Sequence, residues 1–149
     1  MADTLQKNAT ATLLEAVYKN VKTATDTLLA LMPKAEDEDL KNDMTVQLSV
    51  YEGFASRCAK LLAREGEVPE DAGLLSKLTA RMGMAMSTLR DAGSRHLAQM
   101  LSEGAVTGVN ELTEALREAE EQGVTGDALH LASSLCEYEQ SVARDMKAY

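Results

Sequence analysis

Apolar residues recur along most of this chain at spacings of three and four, the period of a helix and not the alternation of a strand. In the first segment Leu14, Val17 with Tyr18, Val21, Ala24 with Thr25, Leu28 and Met32 fall on one face, so the spacing predicts an amphipathic helix. Asp3 followed by Gln6 reads as an N-cap with its N3 partner, and Pro33 marks the far end. A helix over 4–32 of about 28 residues would run roughly 42 Å. The acidic run Glu36-Asp37-Glu38-Asp39 suits a helix start, where unpaired N–H groups favour negative charge. Met44, Leu48, Tyr51, Ala55, Cys58 and Leu62 carry the second stripe to Gly66, giving a helix near 36–65. The short link at Pro33 makes the two antiparallel.

From Asp71 to Gln122 the pattern stays helical for about 50 residues, roughly 75 Å as one rod. Partners of 42 Å could not cover it, so a break is expected at Gly93-Ser94, with Gly ending one helix and Ser capping the next. A crossover helix near 72–92 and a third main helix over 94–122 result. Gly123 supplies a stop and Thr125 an N-cap, after which Leu131, Leu135, Tyr138 with Glu139, Val142 and Met146 carry a stripe over 125–147. Residues 1–149 read as a single all-α domain of two antiparallel hairpins joined by the crossover.

The second and fourth helices share Tyr51-Glu52-x4-Arg57-x2-Lys60 and Tyr138-Glu139-x4-Arg144-x2-Lys147, an offset of 87 residues. Nearly the same offset carries Glu15 and Val21 onto Glu103 and Val109, which suggests hairpins related by a pseudo-twofold. Paired hairpins, a long second-to-third crossover and a Glu at a comparable level on each main helix resemble the ferritin-like superfamily. The chain resembles small, uncharacterised ferritin-like proteins of anaerobic bacteria, where membership implies a fold and no established reaction. In iron-binding members two helices each give a Glu and two each give Glu-x-x-His. Here Glu52 is followed at i+3 by Ala55 and Glu139 by Val142, so both histidines are missing.

Composition narrows the partners. Lys+Arg total 15 against Asp+Glu 24, a net charge of -9, with no Trp and one Phe. That field repels phosphate backbones and anionic lipid, and excludes nucleic acid as the expected partner. The longest apolar run, Leu28 to Met32, is far short of the roughly 20 residues of a membrane span. The opening Met1-Ala2-Asp3-Thr4 has neither a basic nor an apolar leader region. Cys58 and Cys136 form no CxxC and suit free thiols in a reducing compartment. A cytoplasmic location is expected.

The candidate chemistry leaves alternatives open. Glu15, Glu52, Glu103 and Glu139 could form a carboxylate-only site for Fe or Mn. Glu52 and Glu139 could equally pair across helices, or accept from Tyr51 and Tyr138 in a structural polar layer. His96 lies on the third stripe with Leu89, Met100 and Gly104 and reads as a crevice histidine; His130 lies beside the fourth. Met82, Met84 and Met86 could bind a soft metal, but on a helix Met84 points away from the other two, which favours core filling. Gly104 and Gly108 each cost a helix roughly 1 kcal/mol relative to Ala. Close approach of a neighbour, or a bend that opens a central cavity, would account for them. No catalytic set is evident. The leading expectation is a non-catalytic ferritin-like bundle acting through protein contacts, most simply as a homodimer. The alternative is a metal-binding protein in iron or oxidative-stress handling.

Overall fold

A computed structural model describes residues 2–68 and 93–149. The described residues are all-helical. Helix α1 spans Ala2–Leu31, α2 Glu38–Arg64, α3 Ser94–Glu121 and α4 Asp127–Asp145, with single 3-10 turns at Met32–Lys34 and Met146–Ala148. The four main helices fall within about two residues of the sequence expectation. The crossover helix expected over 72–92, with the Asp71 cap and the methionines at 82, 84 and 86, lies outside the described residues.

The helix ends depart from expectation in instructive ways. Asp37 is the N-cap of α2, its side chain accepting from the amides of Asp39 and Leu40, so only the end of the acidic run lies inside the helix. At α3 the cap is Gly93 in an extended conformation, and Ser94 is the first helical residue, not the cap. At α4 the cap is Gly126, not Thr125. Its φ of +81° lies in the left-handed region, which glycine enters without steric cost. α1 already begins at Ala2, which moves Asp3 from the expected cap into the first turn.

Side-chain contacts fix the helix directions. Cys58 Sγ near the end of α2 donates to the carbonyl of Leu14 near the start of α1 at 3.0 Å. Ser102 Oγ near the start of α3 donates to Ala143 O near the end of α4 at 2.8 Å. Arg64 reaches Asp127 from α2 to α4 at 3.5 Å, and Asn20 meets Gly108 between α1 and α3 at 3.2 Å. A groove lined by Asn8, Thr12, Ala115 and Gln122 joins the start of α1 to the end of α3. Each adjacent pair is therefore antiparallel, in the order up, down, down, up. α2 ends at the opposite end of the bundle from the start of α3.

The core repeats with an offset of 88 residues. Leu13, Val17 and Leu31 on α1 correspond to Leu101, Ala105 and Ala119 on α3; Leu40, Met44, Phe54 and Cys58 on α2 correspond to Ala128, Ala132, Val142 and Met146 on or just after α4. All are buried. Both hairpins share this offset, so a local twofold relates them. The 87-residue match in sequence is out of register by one: it would place exposed Glu52 on buried Glu139. Among the described residues no helix is long and apolar enough to cross a membrane.

Asp37→Ala removes the acceptor for two amides at the start of α2 and should lower stability by about 1 kcal/mol. Urea unfolding, with an unchanged m-value, measures it.

Candidate functional site

The local twofold passes through the two pairs in which a residue meets its own equivalent, Asn20 with Gly108 and Tyr51 with Glu139. Each main helix gives one residue to this level. Glu139 is 2% exposed, Tyr51 3% and Asn20 7%. Tyr51 OH donates to Glu139 Oε2 at 3.3 Å, long for a hydroxyl bond. Asn20 Nδ2 donates to Gly108 O at 3.2 Å. Glu139 Oε1 and Asn20 Oδ1 are left buried without a hydrogen-bond partner. The ring of Tyr138 meets Tyr51 edge-on, 5.5 Å between centroids, a favourable aromatic geometry.

Gly108 has a reason in this geometry. A Cβ there would lie 2.5 Å from Glu139 Oε2, 2.7 Å from Oε1 and 2.9 Å from Asn20 Nδ2. Its missing side chain is the space that the carboxyl occupies. Gly104 meets nothing within 4 Å of an added Cβ and sits in the wall of a cavity.

That cavity, about 390 Å³, runs between α1 and α3 from Lys19, Thr107 and Glu111 past Ala24, Leu28, Leu101 and Ala105 to Gln47, Tyr51 and Glu139. Its origin is visible in the twofold. Ala24, Gly104 and Ala105 line it; their equivalents 88 residues away are Leu112, Ala16 and Val17. Each of these three is smaller than its mate, while Leu28 and Leu101 have leucines as theirs. The fully buried Leu112 and Val17 occupy the corresponding positions on the other side of the axis, where the groove past Leu13, Ala16 and Ala115 lies nearer the bundle end.

The electrostatics follow from burial. Loss of water pushes the Glu139 carboxyl from an ordinary 4.5 up to about 8, against the stabilising amide of Asn20 and hydroxyl of Tyr51, with the Glu111 carboxylate adding to the rise. The group is therefore mostly protonated at neutral pH. Burial, then the Glu139 charge, raises the Tyr51 hydroxyl well above the ordinary phenol range. Cys58, a free thiol, is pushed by burial up to about 12, which removes its nucleophilicity at neutral pH.

Of the four carboxylates expected to converge, only Glu139 reaches the centre. Glu15, Glu52 and Glu103 are exposed, and Glu103 accepts from Gln99 on the surface at 3.0 Å. Among the described residues no three His, Cys, Asp or Glu side chains group as a metal site would require. Glu52 was expected in the central layer beside Tyr51; α2 turns Tyr51 inward and Glu52 outward, because adjacent residues on a helix point about 100° apart. Tyr138 is half-buried, and the hydroxyl that reaches the carboxylate is that of Tyr51. His96 is half-buried and His130 exposed. Asn20 and Gln47 were missed in sequence. Their positions were legible, since Asn20 is three residues after Val17 and four before Ala24, and Gln47 is three after Met44.

Because the folded-state value of Glu139 lies above its unfolded one, its stabilising contribution is complete below about pH 4.5 and is lost as pH rises through 8. The melting temperature should fall between pH 5 and 8, with a slope of up to about 1.4 kcal/mol per pH unit. Glu139→Gln should flatten the profile. Gly104→Ala should stabilise by up to about 1 kcal/mol through helix propensity. Gly108→Ala should instead destabilise by about 1–2 kcal/mol, overpacking outweighing propensity; paired denaturation curves decide. Compared with known proteins, the chain matches no family model, no curated protein sequence and no solved structure.

Proposed function

We propose that this chain is a ferritin-like helical bundle whose centre binds a small molecule. The observation that carries the reading is the cavity of about 390 Å³ lined by Asn20, Tyr51 and Glu139, in which the side chains of Asn20 and Glu139 each hold a buried oxygen without a hydrogen-bond partner. Its volume falls in the roughly 300–1,000 Å³ range of small-molecule sites, and apolar walls with a few convergent polar groups are their usual composition. Buried polar atoms are ordinarily paired. Both residues line one cavity, where a ligand toward which their side chains turn would supply the missing partners.

The ferritin-like part of the reading is supported by the up, down, down, up order and by the convergence of one residue from each helix at mid-bundle. That level holds a single carboxylate with an amide, a phenol and a glycine. This donor set does not fit a two-metal centre, and the carboxylate-only Fe or Mn site has only Glu139 to support it. A role through protein contacts has less to draw on, since among the described residues the large exposed apolar side chains Leu29, Val46 and Val106 belong to three different helices and Val68 to the segment after α2.

The twofold supplies the test. Ala24→Leu with Ala105→Val installs the kind of bulk found at the mates Leu112 and Val17, so the double variant should fold and melt higher, by about 0.5–2 kcal/mol of added stability. Hexylammonium, 1-hexanol and hexanoate, each at millimolar concentration, are the probes. At least one should raise the melting temperature of the wild type by mass action and none that of the filled variant. Equal responses from the two proteins, or no response from the wild type to any probe, would overturn the reading.

A further inference from the structure

We infer that the ligand is an organic ammonium ion with a hydrocarbon body, its charge paired with the Glu139 carboxylate where Asn20 and Glu139 line the cavity. This rests on the reading of the cavity as a ligand site and adds the ligand's chemical class.

The hydrogen-bond inventory selects the charge. Gly108 O can only accept, so the Asn20 atom that faces it at 3.2 Å is the NH2 group. The unpaired atom is therefore the carbonyl oxygen, an acceptor without a donor. Tyr51 donates to Glu139 Oε2 and the Asn20 amide favours the charged form, but no bond of good geometry reaches Oε1. Once Glu139 is ionised, Oε1 and Asn20 Oδ1 are both acceptors in need of donors. A ligand carboxylate would add a further acceptor and a second negative charge, and a hydroxyl suits the protonated acid, accepting from it while donating to Asn20 Oδ1. A primary ammonium carries three N–H donors, enough to reach each oxygen and keep one over.

The charge balance points the same way. None of the ion pairs among the described residues includes Glu139, so no protein cation neutralises it at its 2% exposure. A buried carboxyl in that position stays protonated until a cation arrives. On binding, the carboxyl releases its proton to solvent and the carboxylate pairs with the ammonium, so the total charge inside the cavity is unchanged before and after. The charged or titratable groups facing Glu139 from the packed helices are Lys19 on α1, Tyr51 on α2 and Glu111 on α3, with Tyr138 on α4 itself meeting Tyr51 edge-on. No imidazole or thiol lines the cavity among the described residues, which leaves Glu139 as the group whose proton the ligand displaces near neutrality.

The experiment is calorimetric titration of the wild type with hexylammonium chloride at pH 7 in phosphate and in Tris, whose ionisation enthalpies differ. The expected result is release of close to one proton per amine bound, with affinity rising about tenfold per pH unit from pH 6 to 7.5. Glu139→Gln should lose tenfold or more in its affinity for hexylammonium relative to its affinity for 1-hexanol. Three results would overturn the inference and leave the ligand cavity standing: 1-hexanol bound as tightly as the amine, hexanoate preferred to both, or amine binding without proton release. Proton release is read on the wild type alone, so the test holds even if the variant fails to fold. If none of the three probes binds, the cavity reading falls with the inference.

Discussion

A carboxyl group with no countercharge at the centre of a four-helix bundle sets terms for everything packed around it. Glu139 shares its level with Tyr51 and Asn20, and the fourth position there is a glycine whose Cβ would overlap both carboxyl oxygens. That single absence lets α3 approach α4 without expelling the acid. Tyr51 gives the carboxyl its one hydroxyl donor, and Asn20 holds the backbone of Gly108 from the opposite helix. All four residues lie on the local twofold.

The two hairpins use the same geometry with different contents. Their buried positions coincide at an offset of 88 residues, from Leu13 with Leu101 through Cys58 with Met146, so helix crossing and spacing are shared. Side-chain size is not. On one side of the axis Leu112 and Val17 pack the space between α1 and α3; on the other, Ala24 and Ala105 leave it open. Interiors close-pack wherever side chains permit, so the cavity lies where small residues replace large ones in an otherwise repeated pattern. The backbone is as regular there as on the filled side.

The helices were legible because burial in a bundle imposes a stripe, and stripes such as Leu14, Val17, Val21 and Leu28 can be seen without knowing the partner. The ends of α3 and α4 were less so. Gly93 and Gly126 cap through backbone conformation alone, while Ser94 and Thr125 carry the side chains that a capping rule looks for. The central site was half visible. Tyr51, Tyr138 and Glu139 stood out by repetition, but the repetition that drew attention is partly on the surface: Glu52 and Arg57 are exposed, and matching them to Glu139 and Arg144 shifts the register by one. The stripes hold the correct register, since Met44, Tyr51 and Cys58 align with Ala132, Glu139 and Met146. Asn20 was passed over because a polar residue inside an apolar stripe reads as a gap until its neighbour on α3 is known to be a glycine.

Stability alone would favour a filled bundle. Each methyl-sized void in a core costs roughly 1 kcal/mol, and a buried acid that must keep its proton adds a further cost as pH rises. Both costs fall at one place, and the same fold shows beside it how they could be avoided: leucine and valine occupy the equivalent positions across the axis without disturbing the helices. The open side therefore lies within easy mutational reach of the filled one. Small residues in the wall, a glycine beneath the acid and two unpaired oxygens at the end have different local causes, and each alone would be a minor defect. Together they define one shape with one electrostatic demand. A molecule that fills the shape restores the missing dispersion contacts, and one that also carries hydrogen-bond donors resolves the polar deficit in the same event.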